Sequence, residues 1–371
     1  MGTRGVIAAA VTVAAAAAVG RAAWGVPGQI GASAAAIAGA VTGSDGYRDK
    51  QFHNTDPSSP VVRAEGSSML SSVLTKRRLG RPRQPIPLAT PLAPAKAGDL
   101  AVTWYGHASA LVEIDGARVL TDPVWSHRVS PSGVIGPARL HPTPVDIDAL
   151  PAVDVVLISH DHYDHLDKAT ITALARTQSA VFVVPKGIGA HLRHWRVPAD
   201  RIVELGWEES TTVAGLEITC TEARHFSGRG LRRNTTLWSS WSVRGPNHRF
   251  YFGGDTGYTP RFVEIGERHG PFDLTLLPVG AYDEHWPDIH MNPEEAVRMH
   301  TDLGRGDATA GVLVPIHWAT FNLAFHPWAE PIVRLLAASD PAGTRVRVPM
   351  PGQRIDALRP GVQEQWWLRP A

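Results

Sequence analysis

The sequence has almost no cysteine. Its one thiol, Cys220, excludes an intrachain disulfide and any zinc finger built on thiolates. Cys220 closes the alternating run Leu216-Glu217-Ile218-Thr219-Cys220, where a small buried residue is expected. An excess of charge of one sign is also missing. The formal net charge is +1, so no basic field draws nucleic acid, and none is expected as a partner. Internal repeats are absent, and long apolar runs are confined to the start of the chain. There, Val6 to Gly20 is nearly unbroken Ala and Val, Arg21 interrupts, and residues 22–41 are again uncharged. The first run has the length of a signal-peptide apolar region and is short for a membrane span. Ala38-Gly39-Ala40 offers the small residues of a cleavage site. Residues 1–45 therefore read as an export signal or membrane anchor, with a cytoplasmic protein as the alternative.

Residues 46–98 read as an extension. Ser68 to Leu79 suits a short amphipathic helix ending in Lys76-Arg77-Arg78, a cluster able to meet acidic headgroups or to complement the helix dipole. The Pro-rich stretch from Arg81 to Ala95 excludes a regular element. From residue 99 to 371 the pattern becomes that of a domain. Strands are expected at 100–105, 110–114 and 118–121, the last two joined by the turn dipeptide Asp115-Gly116. Further strands are expected at 154–159, 180–184, 249–252, 272–278 and 311–316. Helices are expected near 168–176 and 260–268, and after Asn292-Pro293-Glu294-Glu295, where a cap, a first-turn proline and a capping-box glutamate coincide. Strands followed by strand–helix alternation predict an α/β layered sandwich with helices on its outer faces.

Histidine is abundant, at 17 residues, and its placement carries the functional argument. His160-Asp161-His162-Tyr163-Asp164-His165 follows directly on the apolar run that ends at Ser159. Three imidazoles and two carboxylates in a loop after a buried strand suit a borderline metal such as zinc. No regular helix or strand aims all of them inward; a loop wrapped around metal does. Two metals need further ligands. Three candidates each follow a predicted strand: His225, Asp255 after Gly253-Gly254, and His317.

This pattern resembles the metallo-β-lactamase superfamily, an αββα sandwich. Within it, the chain resembles the N-acyl-phosphatidylethanolamine-hydrolysing phospholipase D family. The similarity rests on Tyr105-Gly106-His107-Ala108, Leu120-Thr121-Asp122-Pro123 and Ser159 to Leu166. It continues through Leu237-Trp238-Ser239-Ser240-Trp241-Ser242-Val243, Gly253 to Tyr258, Gly270-Pro271-Phe272-Asp273, Pro293 to Val297 and Ile316-His317-Trp318. It covers roughly residues 50–355. The resemblance implies two zinc ions per chain, one held by His160, His162 and His225, the other by Asp164, His165 and His317, with Asp255 bridging. It also implies that Asp122 supports the ligands and that His290 is a further active-site residue. The chain departs from the family at Ile289, where a glutamine is usual, and in a short Tyr282–His290 loop.

The expected activity is hydrolysis of a phosphodiester in an N-acyl-phosphatidylethanolamine-like phospholipid by a hydroxide held between the metals. Asp164, Asp255 and His290 are the expected catalytic groups, with His290 either protonating the leaving oxygen or binding the phosphoryl group. Trp286, Trp318 and Phe321 are the aromatic candidates for an acyl-chain pocket. A lactonase on the same centre is the alternative hydrolase. A non-hydrolytic di-metal protein is the alternative of another class, although His162 stands where the di-iron branch of the fold has Glu. A membrane surface is an expected partner, and homodimer formation is left open. All expected ligands lie beyond residue 120, so removing residues 1–45 is expected to leave the centre intact.

Overall fold

The structure, a computed structural model, describes residues 19–58, 78–92, 94–359 and 361–368. The helix expected over 68–79 lies almost wholly outside the described residues. The chain first forms two short helices, α1 (Val26–Ile30) and α2 (Ala34–Val41), and a small hairpin of β1 (Tyr47–Arg48) and β2 (Gln51–Phe52). Two sheets follow. The larger has seven strands in the order β15 (Arg354–Asp356), β3 (Leu100–Gly106), β4 (Ser109–Ile114), β5 (Ala117–Thr121), β6 (Val155–Leu157), β7 (Val181–Pro185) and β8 (Ile202–Leu205). It is antiparallel from β15 to β5 and parallel from β5 to β8. Asp115 and Gly116 both take positive φ, 46° and 88°, as the two-residue turn between β4 and β5 requires.

The smaller sheet has six strands in the order β14 (Val312–Ile316), β13 (Leu274–Pro278), β12 (Arg249–Phe252), β11 (Ser240–Arg244), β10 (Leu216–Thr221) and β9 (Ser210–Val213). β12, β13 and β14 run parallel; their neighbours are antiparallel. The inner faces of the sheets share one core, in which Val102, Trp104, Val112 and Leu157 meet Ile218, Trp241, Phe250 and Leu276. Each such side chain contributes about 1.5–3 kcal/mol on full burial. The Trp241 indole N–H donates across the sandwich to the Ile158 carbonyl at 3.0 Å. Helices α3 (Lys168–Thr177) and α4 (Ile188–His194) cover the outer face of the larger sheet through Ile171, Leu174, Ile188 and Leu192. On the other side lie α5 (Arg261–His269), α6 (Pro293–Leu303) and α7 (Glu330–Ala342), placing Phe262, Met299 and Leu335 in the shared core. The α6 capping box forms in full: Asn292 Oδ1 accepts from the Glu295 amide, and Glu295 Oε2 accepts from the Asn292 amide. The result is the four-layered αββα sandwich.

The sequence-based limits at 45 and 98 are not packing limits. Ala32, Ile37, Val41 and Phe52 are buried together with Ala190, Ala223, Leu237 and Trp238 of the domain, and Ile86 enters the main core. Ala32, Ile37 and Val41 thus find cover on α4 and on the loop before β11, while Val19 and Trp24 are exposed. No helix among the described residues is long and apolar enough to cross a membrane.

Candidate metal centre

The C-terminal ends of strands from both sheets converge at one end of the sandwich. Asp122 follows β5, and the loop from Ser159 to His165 follows β6. His225, Asp255 and His317 follow β10, β12 and β14, so the smaller sheet supplies the opposite wall. Close approach of the two walls explains the glycine pair before Asp255. Gly254 has φ +57°, and a Cβ there would stand 2.5 Å from the Ser159 Cβ. Backbone strain collects at the same place, with Asp122 at φ 32° and His317 at φ 60°.

Two groups of donors result. In the first, His162 Nδ1 lies 2.8 Å from His160 Nε2 and 3.4 Å from His225 Nε2. In the second, Asp164 Oδ2 lies 3.4 Å from His317 Nε2 and 3.5 Å from His165 Nε2. Asp255 stands between them. Its Oδ2 is 3.0 Å from His317 Nε2, 3.1 Å from His165 Nε2, 3.8 Å from His225 Nε2 and 3.9 Å from His160 Nε2. Ligands of a tetrahedral zinc, each about 2.0–2.1 Å from the ion, stand about 3.3–3.4 Å apart, so this spacing suits metal. Unsatisfied atoms point the same way: His165 Nε2, His317 Nε2, Asp255 Oδ1 and His290 Nδ1 are buried without a hydrogen bond. Each such atom costs about 1–3 kcal/mol if nothing meets it. A cation taking the lone pairs of His165, His317 and Asp255 removes that cost for these three.

Outer contacts fix the rings. His165 Nδ1 donates to Asp122 Oδ2 at 2.6 Å, which leaves Nε2 facing the centre. Asp122 is fully buried and also receives the Ser159 amide at 2.7 Å and the Ser159 hydroxyl at 2.5 Å. His225 Nδ1 donates to the Ile289 carbonyl at 2.8 Å, so the position that departs from the family pattern contributes through its backbone. Ile289 itself is buried.

His290 reaches the centre from just before α6. Its Nδ1 lies 3.9 Å from Asp255 Oδ2, and its ring lies 5.2 Å from those of both His225 and His317. Burial outweighs the attraction of Asp255 and pushes its pKa down to about 4, so the ring is neutral at neutral pH.

His107 was not among the expected site residues. It sits in the turn between β3 and β4 at φ 54°, and its Nε2 lies 2.9 Å from Asp164 Oδ2. Its ring is 4.0 Å from that of His317. The available signal was its place between two predicted strands, the same strand-end logic that selected the other ligands.

The aromatic candidates divide. Phe321 is buried edge-on to His107, with ring centres 5.1 Å apart, and flanks the second group. Trp286 is half-buried on the rim loop, donates to the Ala281 carbonyl at 2.7 Å and packs on Phe325. Trp318 borders a small cleft with His317 and Phe321, but most of its ring is buried. It stacks on Trp104 at 5.8 Å and adjoins Trp328 and Trp366, because the residue after His317 turns back into the core. Phe226, not singled out from the sequence, stands 4.4 Å from the His162 ring at the mouth.

A family model described as the beta-lactamase superfamily domain matches residues 117–318, just over half of the chain. The chain belongs to the metallo-β-lactamase superfamily. Its sequence is 58% identical to an uncharacterized protein of Mycobacterium tuberculosis (strain ATCC 25618 / H37Rv), over 94% of each chain. It is 41% identical to N-acyl-phosphatidylethanolamine-hydrolyzing phospholipase D 1 of Caenorhabditis elegans, over 60% of this chain and 65% of the worm protein. A UPF0173 metal-dependent hydrolase of Pyrobaculum aerophilum is 30% identical over 60% of this chain and 85% of its own length. The protein is thus a metal-dependent hydrolase of the metallo-β-lactamase superfamily, with its His and Asp donors gathered at the sheet ends.

Proposed function

We propose that the protein binds two zinc ions and hydrolyses N-acyl-phosphatidylethanolamine-like phospholipids in the manner of a phospholipase D. The observation that carries this reading is Asp255, whose single Oδ2 lies within 4 Å of imidazole nitrogens from both donor groups. A carboxylate so placed serves two cations. Paired zinc ions supply Lewis acidity toward phosphoryl oxygens and a nucleophile at neutral pH.

The chain's own groups account for the rest. Water attacks phosphorus, the bond from phosphorus to the N-acylethanolamine oxygen breaks, and that alkoxide takes up the proton that Asp164 removes from the water. Asp164 is the carboxylate most open to the mouth, at 15% exposure against 2% for Asp255, and it accepts the proton of the incoming water. His107 orients it through the 2.9 Å contact. His290, neutral and 13% exposed, fits a hydrogen-bond partner of a phosphoryl oxygen better than a donor to the leaving group. A lipid substrate agrees with the surface beside the mouth. Leu231 is wholly exposed between Gly230 and Arg232, and Arg233 lies over the Phe226 ring at 5.2 Å. That loop can rest on a membrane with its arginines at the headgroups.

The test is product analysis. The zinc-loaded protein is given N-acyl-phosphatidylethanolamine in vesicles, a lactone panel and bis(p-nitrophenyl) phosphate. Release of N-acylethanolamine with phosphatidic acid, faster than any lactone turnover, supports the reading. Turnover of lactones alone overturns it and makes the protein a lactonase.

A further inference from the structure

The segment that precedes the domain is wired to the metal-binding loop. Two side chains make the link, Arg229 and His191, and neither belongs to the donor groups. Arg229 is 6% exposed. On one side its Nη1 donates to the carbonyls of Asp161 and Leu166, at 2.8 and 2.6 Å, which bracket the stretch from His162 to His165. On the other side its Nε and Nη2 donate to the Gln29 carbonyl at the end of α1, at 3.1 and 2.7 Å. The guanidinium is sandwiched by Tyr163, 4.1 Å away, and Trp195, 5.1 Å away, and the Trp195 indole donates to the Gly28 carbonyl.

His191 makes the second link. Its Nδ1 accepts from the Ala32 amide at 3.0 Å, so the ring proton sits on Nε2. Nε2 faces Asp161 Oδ2 at 3.6 Å, and Asp161 Oδ1 accepts from the Gly228 amide at 2.7 Å. Asp161 lies between the ligands His160 and His162 but points away from the centre. A buried cation spent on main-chain carbonyls, and a buried carboxylate faced by an imidazole whose Nε2 makes no hydrogen bond, are costly ways to secure a loop unless its position matters.

We infer that residues 26–37 act as a strap that positions the metal-binding loop, with Arg229 and His191 as the positioning residues that join them. This reverses the expectation that the first 45 residues are dispensable to the centre. It rests on the donor groups and not on any particular substrate, so metal affinity tests it whatever the enzyme cleaves.

Gly31 allows the test to be made from the strap alone. It has φ +85°, and a Cβ there would stand 2.4 Å from His191 Nδ1. Gly25 has nearly the same φ, +82°, but a Cβ there meets nothing within 4 Å. The two positions differ in ψ, −138° at Gly31 against −13° at Gly25, and a Cβ at Gly31 also comes within 3.1 Å of Trp195. Gly31→Ala therefore carries more strain and is read together with His191→Leu, which leaves the strap backbone unchanged. In the full chain, zinc affinity is measured by chelator competition and folding by the melting temperature of the metal-free protein. Gly31→Ala and His191→Leu are expected to weaken zinc binding about 10–100-fold, the scale of lost outer-sphere support. Gly25→Ala is expected to leave it unchanged. His191→Gln, which can still accept from Ala32 and donate to Asp161, is expected to restore most of the affinity. Unchanged zinc affinity in Gly31→Ala and His191→Leu, with or without a lower melting temperature, overturns the inference and leaves the strap a stabilising cover. Should these variants fail to accumulate, Arg229→Lys decides. It keeps the charge but cannot reach the two loop carbonyls and the Gln29 carbonyl at once, so wild-type zinc affinity there overturns the inference equally.

Discussion

The two halves of the centre are built on different chemistry. The half formed by His160, His162 and His225 is made of imidazoles backed by neutral groups, the Ser159 hydroxyl behind His160 and the Ile289 carbonyl behind His225. The half formed by Asp164, His165 and His317 contains a carboxylate and rests on another, since Asp122 stands behind His165. A cation entering the second half meets fixed negative charge in a dry setting, where electrostatic attraction is strong. In the first half it meets imidazole lone pairs, with Asp255 the carboxylate within 4 Å of the His160 and His225 nitrogens. On the proposed two-metal reading, the second half is expected to hold metal more firmly, with Asp255 keeping the first half from being a weak site.

The largest test of this contrast is Asp255→Asn. Losing the shared charge is expected to empty the first half, weaken the second and lower turnover by about 10³-fold, the equivalent of roughly 4 kcal/mol. Metal per chain and turnover are measured together. Full metal content with normal turnover would detach Asp255 from the centre.

His290 touches neither half as a required donor. His290→Ala is expected to keep the full metal content and to slow turnover by about 10²–10³-fold, as when one hydrogen bond to a developing oxyanion is removed. A neutral ring predicts equal losses on an alkyl phosphodiester and on a p-nitrophenyl one. A loss seen only with the alkyl leaving group would make His290 the proton donor after all.

Asp122→Asn sharpens the comparison from behind the ligands. It is expected to weaken the second half about 10–100-fold while the first half titrates as before. Two-step competition with a chelator separates the halves. Equal weakening of both would show that Ser159, which bonds Asp122 and also adjoins His160, carries the effect across.

The smallest effect is expected away from the metals. Glu113, buried in β4, is paired with Arg354 of β15 at 2.8 Å. Burial alone would raise its pKa, but the hydrogen bonds from Arg354 and the Gly98 amide outweigh it and hold the carboxyl below its usual value. A lowered folded-state pKa adds stability that is present above the ordinary carboxylate range and lost as pH falls through the folded value. Arg354→Met is expected to cost about 1–3 kcal/mol at neutral pH and less under acid, with metal content unchanged. Denaturant melts at two pH values check the sign. A loss of zinc would tie this pair to the centre and blur the contrast between metal-site and framework carboxylates.

Much of the site is legible in the sequence because its donors are concentrated or announced. The run from His160 to His165 needs no tertiary information to suggest metal, and Gly253-Gly254 announces close backbone approach before Asp255. His107 carries no such spacing. A lone histidine in a hairpin turn is marked only by its place between two strands and by the Tyr105–Ala108 stretch, and its role shows when Asp164 and His317 arrive from residues far along the chain. Several elements were also missed: α4, α7, β8, β9, β11 and β15. β8 and β9 are four-residue strands that are half-exposed along most of their length, and β15 has only three residues, so each has little hydrophobic pattern of its own. Tertiary pairing, rather than local propensity, makes them strands.

The sequence by itself determined the layered α/β class, the strand ends that carry ligands and the capped start of α6, because these depend on local periodicity, capping chemistry and donors close in the chain. Only the tertiary structure decided which wall each ligand stands on, that Trp318 turns into the core while Phe226 faces the mouth, and that the Ala-rich segment before residue 46 reaches the metal loop through Arg229 and His191. Those outcomes depend on contacts between residues up to 200 positions apart, and no local pattern encodes which partner a buried side chain will meet.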